Sequence, residues 1–409
     1  MKYVIIGNSA AAVGGVEGIR SVDPEGEITL VSSESHHTYS RPLISYLLWG
    51  KTDEQRMKYR PDDFYEKNGC SLRLGRTVTA LHPTEHTVEL DDGETLAYDK
   101  LLVATGSRPL VPPIEGLDGV QRKCTFMSLD DARALEAALT PGTRVLIMGA
   151  GLIGLKCAEG IAHLCGSLTV VDMANRILPS ILDEQGAALV QKRVEAQGVS
   201  FILGDSVKAF QGNTAQLASG RELDFDLLVI AVGVRPNTEL VSAAGGRVGR
   251  GVVTDERCAA TIPDVYAAGD CTESHDIVSD ADRVLALLPN AYMQGETAGK
   301  NMAGGQAVYD KAIAMNAMGM FGYHMVTAGC YTGEPIVIRN GENYKELFIE
   351  DGLLKGFIII GDVRRAGIYT KLIRERVPLS SIDFQLIAEH PRLMAFAGPE
   401  RKAQLGTVR

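Results

Sequence analysis

The chain has 409 residues, 45% of them hydrophobic and 22% charged, which is typical of a folded protein with two or three domains and argues against disorder. Its net charge of −10 leaves no overall positive field for nucleic acid or an anionic membrane. Seven cysteines without a CxxC spacing and eight histidines without an HExxH spacing predict neither a disulfide framework nor a metal site.

Targeting signals are not evident in the sequence either. No stretch has the apolar length of a membrane-spanning helix. The apolar start MKYVIIG ends at Gly7, before it reaches the length of a secretory signal peptide. The sequence therefore predicts a cytoplasmic protein.

The first predicted element is a strand over residues 1–6 that runs into the stretch IIGNSAAA. Turns of this kind bind a dinucleotide pyrophosphate when they carry GxGxxG, because glycines let the backbone approach the phosphates. Here only Gly7 of the three glycines is kept. The rest of the predicted turn consists of small residues that partly meet the same need, namely Ser9, Ala10 and Ala12.

A helix over 10–22 and a second strand over 28–34 are predicted next. Glu34 stands at the end of that strand, where an acidic side chain can accept hydrogen bonds from a ribose. Ser33 is the alternative, one residue earlier. This first segment is thus a candidate nucleotide-binding unit.

A second strand and glycine turn, VLIMGAGLIG, occupies residues 145–154. This copy of the motif is complete, and the residues of its turn are Gly149, Gly151, Leu152, Ile153 and Gly154. The strand LTVVD at 168–172 follows, and Asp172 at its end is placed to bind a ribose as Glu34 is.

Two later stretches match each other residue by residue. YDKLLVATGSRP at 98–109 and FDLLVIAVGVRP at 225–236 share an aromatic residue, Asp, an apolar strand, Ala, Gly, Arg and Pro in the same order. Each stretch follows one of the two glycine turns, and chance rarely repeats a pattern of this length. This internal repeat predicts two related nucleotide-binding units.

The segment VYAAGD at 265–270 belongs to neither repeat and predicts a strand that returns to a sheet edge, ending in Asp270. PNAYMQGETAGKNMAG at 289–304 predicts a helix with Pro289 at its start, Asn290 as a capping residue and glycines beyond its end.

The C-terminal region carries different signals. NYKELFIEDGLLKGFIIIGD at 343–362 predicts a hairpin that turns at Asp351 and Gly352. A helix that ends before Pro378 follows. Residues 379–409 carry no comparable signal.

Several motifs resemble those of a known family in their order: GxSxxA near the start, YSRP at 39–42, ATG at 104–106, GAGLIG at 149–154 and AAGD at 267–270. The family is the FAD-dependent pyridine-nucleotide oxidoreductases of the glutathione reductase fold. The chain looks most like the branch of NADH:rubredoxin reductase, nitrite reductase flavin domains and apoptosis-inducing factor. It is also similar to the FAD subunits of phenylglyoxylate dehydrogenase-type complexes. An ordered set of motifs is more specific than any single one.

The resemblance implies an α/β fold with two Rossmann-like three-layer nucleotide-binding domains and a small α+β C-terminal interface domain. The FAD-binding domain would be discontinuous, comprising residues 1–111 and 238–302. The NAD-binding domain would comprise 112–237 and the interface domain 303–409.

The resemblance also implies which residues hold each cofactor. FAD would be held by Gly7, Ser9, Ala10, Ala12, Glu34, Arg41, Pro42, Val78, Ala104, Thr105, Gly106, Arg108, Gly269, Asp270, Pro289, Asn290 and Ala291. NAD(H) would be held by Gly149, Gly151, Leu152, Ile153, Gly154, Asp172 and Gly233. Asp172 favours NADH over NADPH, because a carboxylate accepts ribose hydroxyls and repels a 2′-phosphate, although Arg176 could accept a phosphate.

Two departures from the family narrow the chemistry. Relatives that work through a thiol carry a redox cysteine beside the flavin, whereas RPLISYLLWG places Leu43 and Ile44 at the corresponding positions. Electrons are therefore expected to leave the flavin directly. The family most often has Glu in place of Lys156 and Lys in place of Tyr46, so both members of a customary ion pair have changed.

Lys156 is the predicted catalytic residue, as a cation that would stabilise negative charge on the reduced flavin. The alternative is a solvated lysine on a helix flank.

Together these features predict an NAD(P)H-dependent FAD oxidoreductase that transfers electrons between NADH and an iron–sulfur protein or subunit. Further expected partners are other copies of the chain or members of a multi-subunit complex. Two alternatives stay open: an NADH oxidase, and an FAD-binding redox-sensing interaction protein with weak turnover. The sequence does not choose the electron acceptor or the direction of electron flow.

Overall fold

The structure is a computed structural model that describes residues 1–396. The described chain forms two compact units. The first unit comprises Met1–Met173, Ser200–Asp276 and Ala281–Ala312, and the second comprises Ala174–Val199, Ile277–Asp280 and the described residues from Ile313 onward. The predicted domain boundaries near residues 111, 237 and 302 remain predictions.

The first unit contains a five-stranded parallel sheet built around the strand that precedes Gly7. Its strands are, in sheet order, Val265–Ala267, Lys100–Val103, Lys2–Ile6, Glu27–Ser32 and Cys70–Leu74. The strand before Gly7 is almost fully buried, as expected where helices cover both faces of a parallel sheet. The predicted return of 265–270 to a sheet edge is confirmed.

A second five-stranded sheet repeats this arrangement around the strand that precedes Gly149. Its strands are, in sheet order, Val199–Leu203, Ser167–Asp172, Arg144–Met148, Leu227–Ile230 and Lys123–Thr125. In both sheets the strand before the glycine turn is central. One of its neighbours is the strand that follows it in sequence, and the other is the strand of the matching stretch, 98–109 or 225–236. The fold therefore carries the internal repeat.

The ends of the two repeated stretches pair with each other. Ser107–Pro109 and Val234–Pro236 form a two-stranded antiparallel ribbon in which Arg108 lies opposite Arg235. The two nucleotide-binding halves are thus joined by equivalent segments of the repeat.

Smaller antiparallel sheets and helices complete the first unit. The three-stranded sheets are Val78–His82 with Thr87–Leu90 and Thr95–Ala97, Val207–Gln211 with Thr214–Leu217 and Glu222–Asp224, and Val252–Val253 with Thr272–Asp276 and Ala281–Arg283. The helices are Ala10–Arg20, Ile44–Leu48, Phe64–Lys67, Leu129–Ala138, Leu152–Ile161, Glu239–Ala243 and Leu288–Met302, with 3-10 turns at Arg41–Leu43 and Leu117–Gly119.

The helix predicted at 289–304 is present as Leu288–Met302, but the capping prediction is wrong. The extended residue that precedes the helix is Leu287, which makes no side-chain capping bond, and Asn290 lies buried inside the first turn. The reason is that Pro289 takes one of the first two helical positions, where its missing N–H has no intrahelical acceptor to lose. Asn290 is thereby moved past the cap.

The helices Ala10–Arg20 and Leu288–Met302 pack backbone against backbone through glycines. A Cβ on Gly14 would lie 2.3 Å from the carbonyl oxygen of Tyr292, and one on Gly295 would lie 1.9 Å from that of Ala11. Such distances leave no room for a methyl group. The glycines therefore allow the helix Ala10–Arg20, which follows the first turn, to pack closely on the helix Leu288–Met302, which has Ala291 near its start.

Gly295→Ala is expected to lower the free energy of unfolding by about 3 kcal/mol, because two helix backbones must move apart. The matched control is Gly367→Ala, which lies in another helix with nothing within 4 Å of its added methyl group. That control should be neutral or stabilising, since alanine has the higher helix propensity. Denaturant unfolding measures both, and equal effects would show that the glycine contact does not matter.

The second unit contains a five-stranded antiparallel sheet. Its strands are, in sheet order, Met315–Met320, Tyr323–Gly329, Leu353–Ile360, Asn343–Glu350 and Glu334–Asn340. The predicted hairpin is confirmed, with Asp351 and Gly352 at φ of +52° and +70° in its turn. The remaining elements are the helices Glu184–Glu195, Ala366–Arg374 and Phe384–Glu389 and the 3-10 turns Leu379–Ser381 and Leu393–Ala395.

The predicted helix before Pro378 is confirmed and ends at Arg374. Tyr344 of the sheet donates its hydroxyl toward Asp183 and Glu346, at 2.9 Å from each carboxylate, and Asp183 caps the helix Glu184–Glu195.

In residues 1–396, none of the helices combines the length and the apolar character needed to cross a bilayer.

Candidate functional site

A cavity of about 740 Å³ lies in the first unit, at the carboxyl ends of the strands that precede Gly7 and Ala104. The predicted FAD residues among its lining are Gly7, Ser9, Ala10, Glu34, Arg41, Val78, Ala104, Thr105, Gly106, Gly269, Asp270 and Ala291. Ligands of open parallel sheets bind at this edge. A larger cavity, of about 1620 Å³, lies in the second unit, and no predicted site residue lines it.

The first glycine turn has the backbone that a phosphate site requires. Gly7 has a φ of +125°, and a Cβ there would lie 2.1 Å from the carbonyl oxygen of Ala104. The helix Ala10–Arg20 then begins at Ser9, whose side chain makes no capping bond. Uncapped N–H groups at the positive end of a helix form an anion site. Ala12 is fully buried and packs in the core instead of lining the cavity.

Glu34 and Arg41 form an ion pair on the cavity wall. The hydroxyl of Tyr39 donates to the second oxygen of Glu34 at 2.6 Å and accepts from the N–H of Leu129 at 2.9 Å. Burial opposes the charge of Arg41, but Tyr39 and Glu34 keep the pKa of its guanidinium above the ordinary value. Both charged groups are therefore held in place for a polar ligand.

Asp270 also lines this cavity and is partly exposed. Burial raises the pKa of its carboxyl group, while Arg41 and the hydroxyl of Ser107, at 3.4 Å, act in the opposite direction. The preceding Gly269 has its N–H held by the side-chain oxygen of Gln294 at 2.8 Å. No sequence pattern singles out Gln294, a polar residue on the buried face of its helix.

Asn237 is a second residue that the sequence analysis missed. Its amide donates to the carbonyl of Thr105 at 2.9 Å, and the Thr105 hydroxyl donates back to the Asn237 carbonyl at 3.0 Å. Arg108 donates to the Asn237 side chain at 2.7 Å and pairs with Glu239. The predicted FAD residues that do not line the cavity are Ala12, Pro42, Arg108, Pro289 and Asn290.

The second glycine turn has the same geometry as the first. Gly149 has a φ of +109°, and a Cβ there would lie 2.3 Å from the carbonyl oxygen of Ala231, which corresponds to Ala104 in the repeat. The helix Leu152–Ile161 begins at Gly151 without a side-chain cap. A Cβ on Gly154 would lie 2.0 Å from the Gly149 carbonyl oxygen. This turn therefore offers a second anion site.

Asp172 lies at the end of the neighbouring strand and is linked to this turn. Its carboxylate accepts the backbone N–H of Ala150 at 2.6 Å. Gly233, in the matching stretch, has a φ of +125° and open space around it. The predicted ribose-binding carboxylate is thus fixed beside the predicted pyrophosphate turn.

Lys156 is not a solvated lysine. Its side chain is 16% exposed and pairs with Glu159, whose side chain is 2% exposed. The ammonium group also lies 4.1 Å from the ring centre of Tyr46. The two positions at which the chain departs from the family pattern are therefore in contact.

Residues 1–295 match the model of the pyridine nucleotide-disulphide oxidoreductases. The chain belongs to this family. It is 32% identical over 400 residues to the NADH-dependent phenylglyoxylate dehydrogenase subunit epsilon of Aromatoleum evansii, covering 95% of this chain and 94% of that protein. It is 31% identical to a rubredoxin-NAD(+) reductase of Pseudomonas putida, over 74% of this chain and 80% of the relative. It spans about half the length of other curated relatives, 49% in one case.

Among solved structures, the covalent putidaredoxin reductase–putidaredoxin complex has the same fold, with a TM-score of 0.86 and 24% identity over 99% of both chains. The predicted family and the predicted α/β fold class are confirmed. As a member of this oxidoreductase family, the protein is an NAD(P)H-dependent flavin enzyme whose cofactors are FAD and NAD(H).

The residues present fit the cofactors of the oxidoreductase family. In the first unit, the tight approach of Gly7 to Ala104, the uncapped helix start at Ser9 and the carboxyl group of Asp270 provide an anion site and a polar acceptor along one cavity. These features suit the pyrophosphate and the polyol of FAD. The turn at Gly149 and the carboxylate of Asp172 suit the pyrophosphate and ribose of NAD(H).

Proposed function

We propose that this protein transfers hydride from NADH to its FAD and then passes the electrons directly to an iron–sulfur protein or an iron–sulfur subunit. We infer a path without a thiol step from the residues that line the cavity. Among the described residues that line it, none is a cysteine. The segment after Arg41, where thiol-dependent relatives carry a redox cysteine, is the helix Ile44–Leu48 without one.

The surroundings of four cysteines outside the cavity support this proposal. Burial raises the pKa of the Cys70 thiol to about 11 and that of Cys124 and Cys258 to about 12. Cys271 follows Asp270 in sequence, but it is fully buried and its thiol donates to the carbonyls of Val103 and Ala268. Since the thiolate is the reactive form, the raised pKa values of these thiols support an electron path without a thiol step.

FAD, when bound, accepts hydride from the nicotinamide and releases the electrons onward. The chain itself binds and orients. The N–H groups at the start of the helix Ala10–Arg20 and the guanidinium of Arg41 would neutralise the pyrophosphate, and Asp270 would accept from the polyol. The amino end of Leu288–Met302, at which Ala291 lines the cavity, would stabilise negative charge developing beside it.

The choice of acceptor rests on the relatives. One is named a subunit of an NADH-dependent dehydrogenase, and another is named a rubredoxin-NAD(+) reductase, a name that pairs NAD⁺ with a protein that carries electrons. We therefore include membership of a multi-subunit complex or a homo-oligomer in the proposal. An NADH oxidase and a redox-sensing interaction protein are the competing functions.

Anaerobic stopped-flow mixing of the FAD-loaded protein with NADH tests the proposal. Rapid bleaching of the flavin absorbance, followed by fast reoxidation with rubredoxin or ferredoxin and slow reoxidation with oxygen, is expected. Fast reoxidation by oxygen alone would favour the oxidase. Bleaching over minutes would favour the interaction protein.

Replacing the thiols should leave these steps unchanged. The half-exposed cysteines Cys70, Cys124, Cys165 and Cys330 are changed together to Ser, and the buried Cys157, Cys258 and Cys271 are changed singly to Ala. Every variant that keeps FAD should be reduced by NADH and reoxidised by ferricyanide at the parent's rate. One that keeps FAD and is reduced but not reoxidised would identify a thiol in the electron path.

A further inference from the structure

Two short helices of the first unit meet at close range. One is Ile44–Leu48, which follows the turn that carries Arg41, and the other is Leu152–Ile161, which follows the second glycine turn. A Cβ on Gly160 would lie 2.8 Å from the carbonyl oxygen of Ser45. This contact joins the part of the chain predicted to bind FAD to the part predicted to bind NAD(H).

The side chains at this contact form a charged and aromatic cluster of Tyr46, Lys156 and Glu159. Lys156 and Glu159 lie three residues apart on the same helix, so their ion pair directs the lysine side chain within that helix. The side-chain contact from this helix to the other is made by the ammonium group of Lys156, which lies over the Tyr46 ring at 4.1 Å from its centre.

The charge balance limits what Lys156 can do. A carboxylate that is 2% exposed requires a partner, and the ammonium group of Lys156 supplies it. The pair has no net charge, so its effect on a distant anionic group is much smaller than that of a lone lysine. The cluster is therefore better suited to holding two helices than to stabilising charge on a cofactor.

We propose that Tyr46, Lys156 and Glu159 form a clamp that sets the alignment of the NAD(H)-binding half relative to the FAD-binding half, and that all three are positioning residues for hydride transfer. The inference rests on the proposed function, since it requires NADH to reduce the flavin. Transfer between two bound rings depends steeply on their separation, and a displacement of about 1 Å can cost about 100-fold in rate.

The clamp is tested with the FAD-loaded protein by anaerobic reduction at a series of NADH concentrations, which separates the limiting rate from the apparent Kd. Tyr46→Leu is expected to lower the limiting rate by about 10- to 100-fold with little change in Kd. Tyr46→Phe keeps the ring and should keep the rate. The matched control is Lys51→Met, which removes an exposed lysine that lies 5.1 Å from the Trp49 ring just beyond the same helix.

A readout other than turnover is the long-wavelength absorbance of nicotinamide stacked on flavin, recorded with NAD⁺ on the reduced protein. Tyr46→Leu should weaken this band at saturating NAD⁺, and Tyr46→Phe should retain it. FAD content and the thermal midpoint of each variant show whether it has folded. If Tyr46→Leu loses FAD, the double variant Lys156→Gln with Glu159→Gln removes the ammonium group from the other helix without leaving a buried carboxylate unpaired.

A charge exchange gives the sharpest test. Tyr46→Lys alone brings a second ammonium group to Lys156, and Lys156→Glu alone brings a second carboxylate to the buried Glu159. The double variant again places opposite charges across the two helices, and it should be reduced faster than either single variant. The clamp is overturned if the parent is reduced rapidly by NADH and Tyr46→Leu keeps both its limiting rate and its absorbance band. If the parent itself is not reduced, the proposed function fails first.

Discussion

Gly7→Ala and Gly149→Ala are expected to disable the two nucleotide sites separately, although both changes add a single methyl group. At each position the φ lies in the region open to glycine, and the added Cβ would overlap a backbone carbonyl, at 2.1 Å for Gly7 and 2.3 Å for Gly149. A turn that must shift by this much no longer presents its N–H groups to a phosphate.

The Gly7→Ala protein should be isolated with little FAD, because a loss of about 3 kcal/mol in binding weakens affinity by about 100-fold. The Gly149→Ala protein should retain FAD and be bleached by dithionite but only slowly by NADH. Flavin content per chain and the two reduction rates are the measurements.

Gly142→Ala is the matched control, because its added Cβ would have nothing within 4 Å and it lies just before the strand that leads to Gly149. It should behave as the parent does. Loss of FAD in the Gly149 variant, or retention of FAD with loss of NADH reduction in the Gly7 variant, would mean that the two sites have been assigned in the wrong order.

The parts of this molecule that the sequence predicts are those encoded locally. A strand, a glycine and a helix in succession identify each turn, because the backbone conformation at Gly7 and Gly149 depends on residues within a few positions. The internal repeat then supports the same assignment for both turns. In the fold, its two matching stretches pair with each other at Arg108 and Arg235. The hairpin at Asp351 follows from turn chemistry alone.

The parts that the sequence does not reveal depend on distant pairs. Gln294 holds Gly269, and Asn237 exchanges hydrogen bonds with Thr105, across separations in sequence that no local pattern reports. The changes at Tyr46 and Lys156 are each visible in the sequence. That they touch, and that Glu159 balances the lysine, follows only from the packing of two helices. The misplaced cap at Asn290 shows the same limit at a helix end.

The remaining large effect concerns the choice between NADH and NADPH. Asp172 is fixed beside the second glycine turn by the N–H of Ala150, at 2.6 Å, and a carboxylate there accepts ribose hydroxyls and repels a 2′-phosphate. The nearby cation in sequence, Arg176, donates to the carbonyls of Pro179 and Leu182, so its guanidinium is engaged with the main chain. We therefore expect a preference for NADH of about 100-fold in kcat/KM.

The preference should reverse in the double variant Asp172→Ser with Met173→Arg. Met173 is 79% exposed, so an arginine there meets no steric cost and can reach a phosphate on the adjoining ribose. Asp172→Asn alone removes the charge at constant shape, and it should raise activity with NADPH by about tenfold, the size expected for the loss of one charge repulsion. Met173→Arg alone should change little, because the carboxylate remains.

The comparison is kcat/KM for both nucleotides with ferricyanide as the acceptor, which does not depend on the protein partner. If the parent uses both nucleotides equally well, or if Asp172→Asn leaves their ratio unchanged, Asp172 does not set the choice and the ribose must be recognised elsewhere.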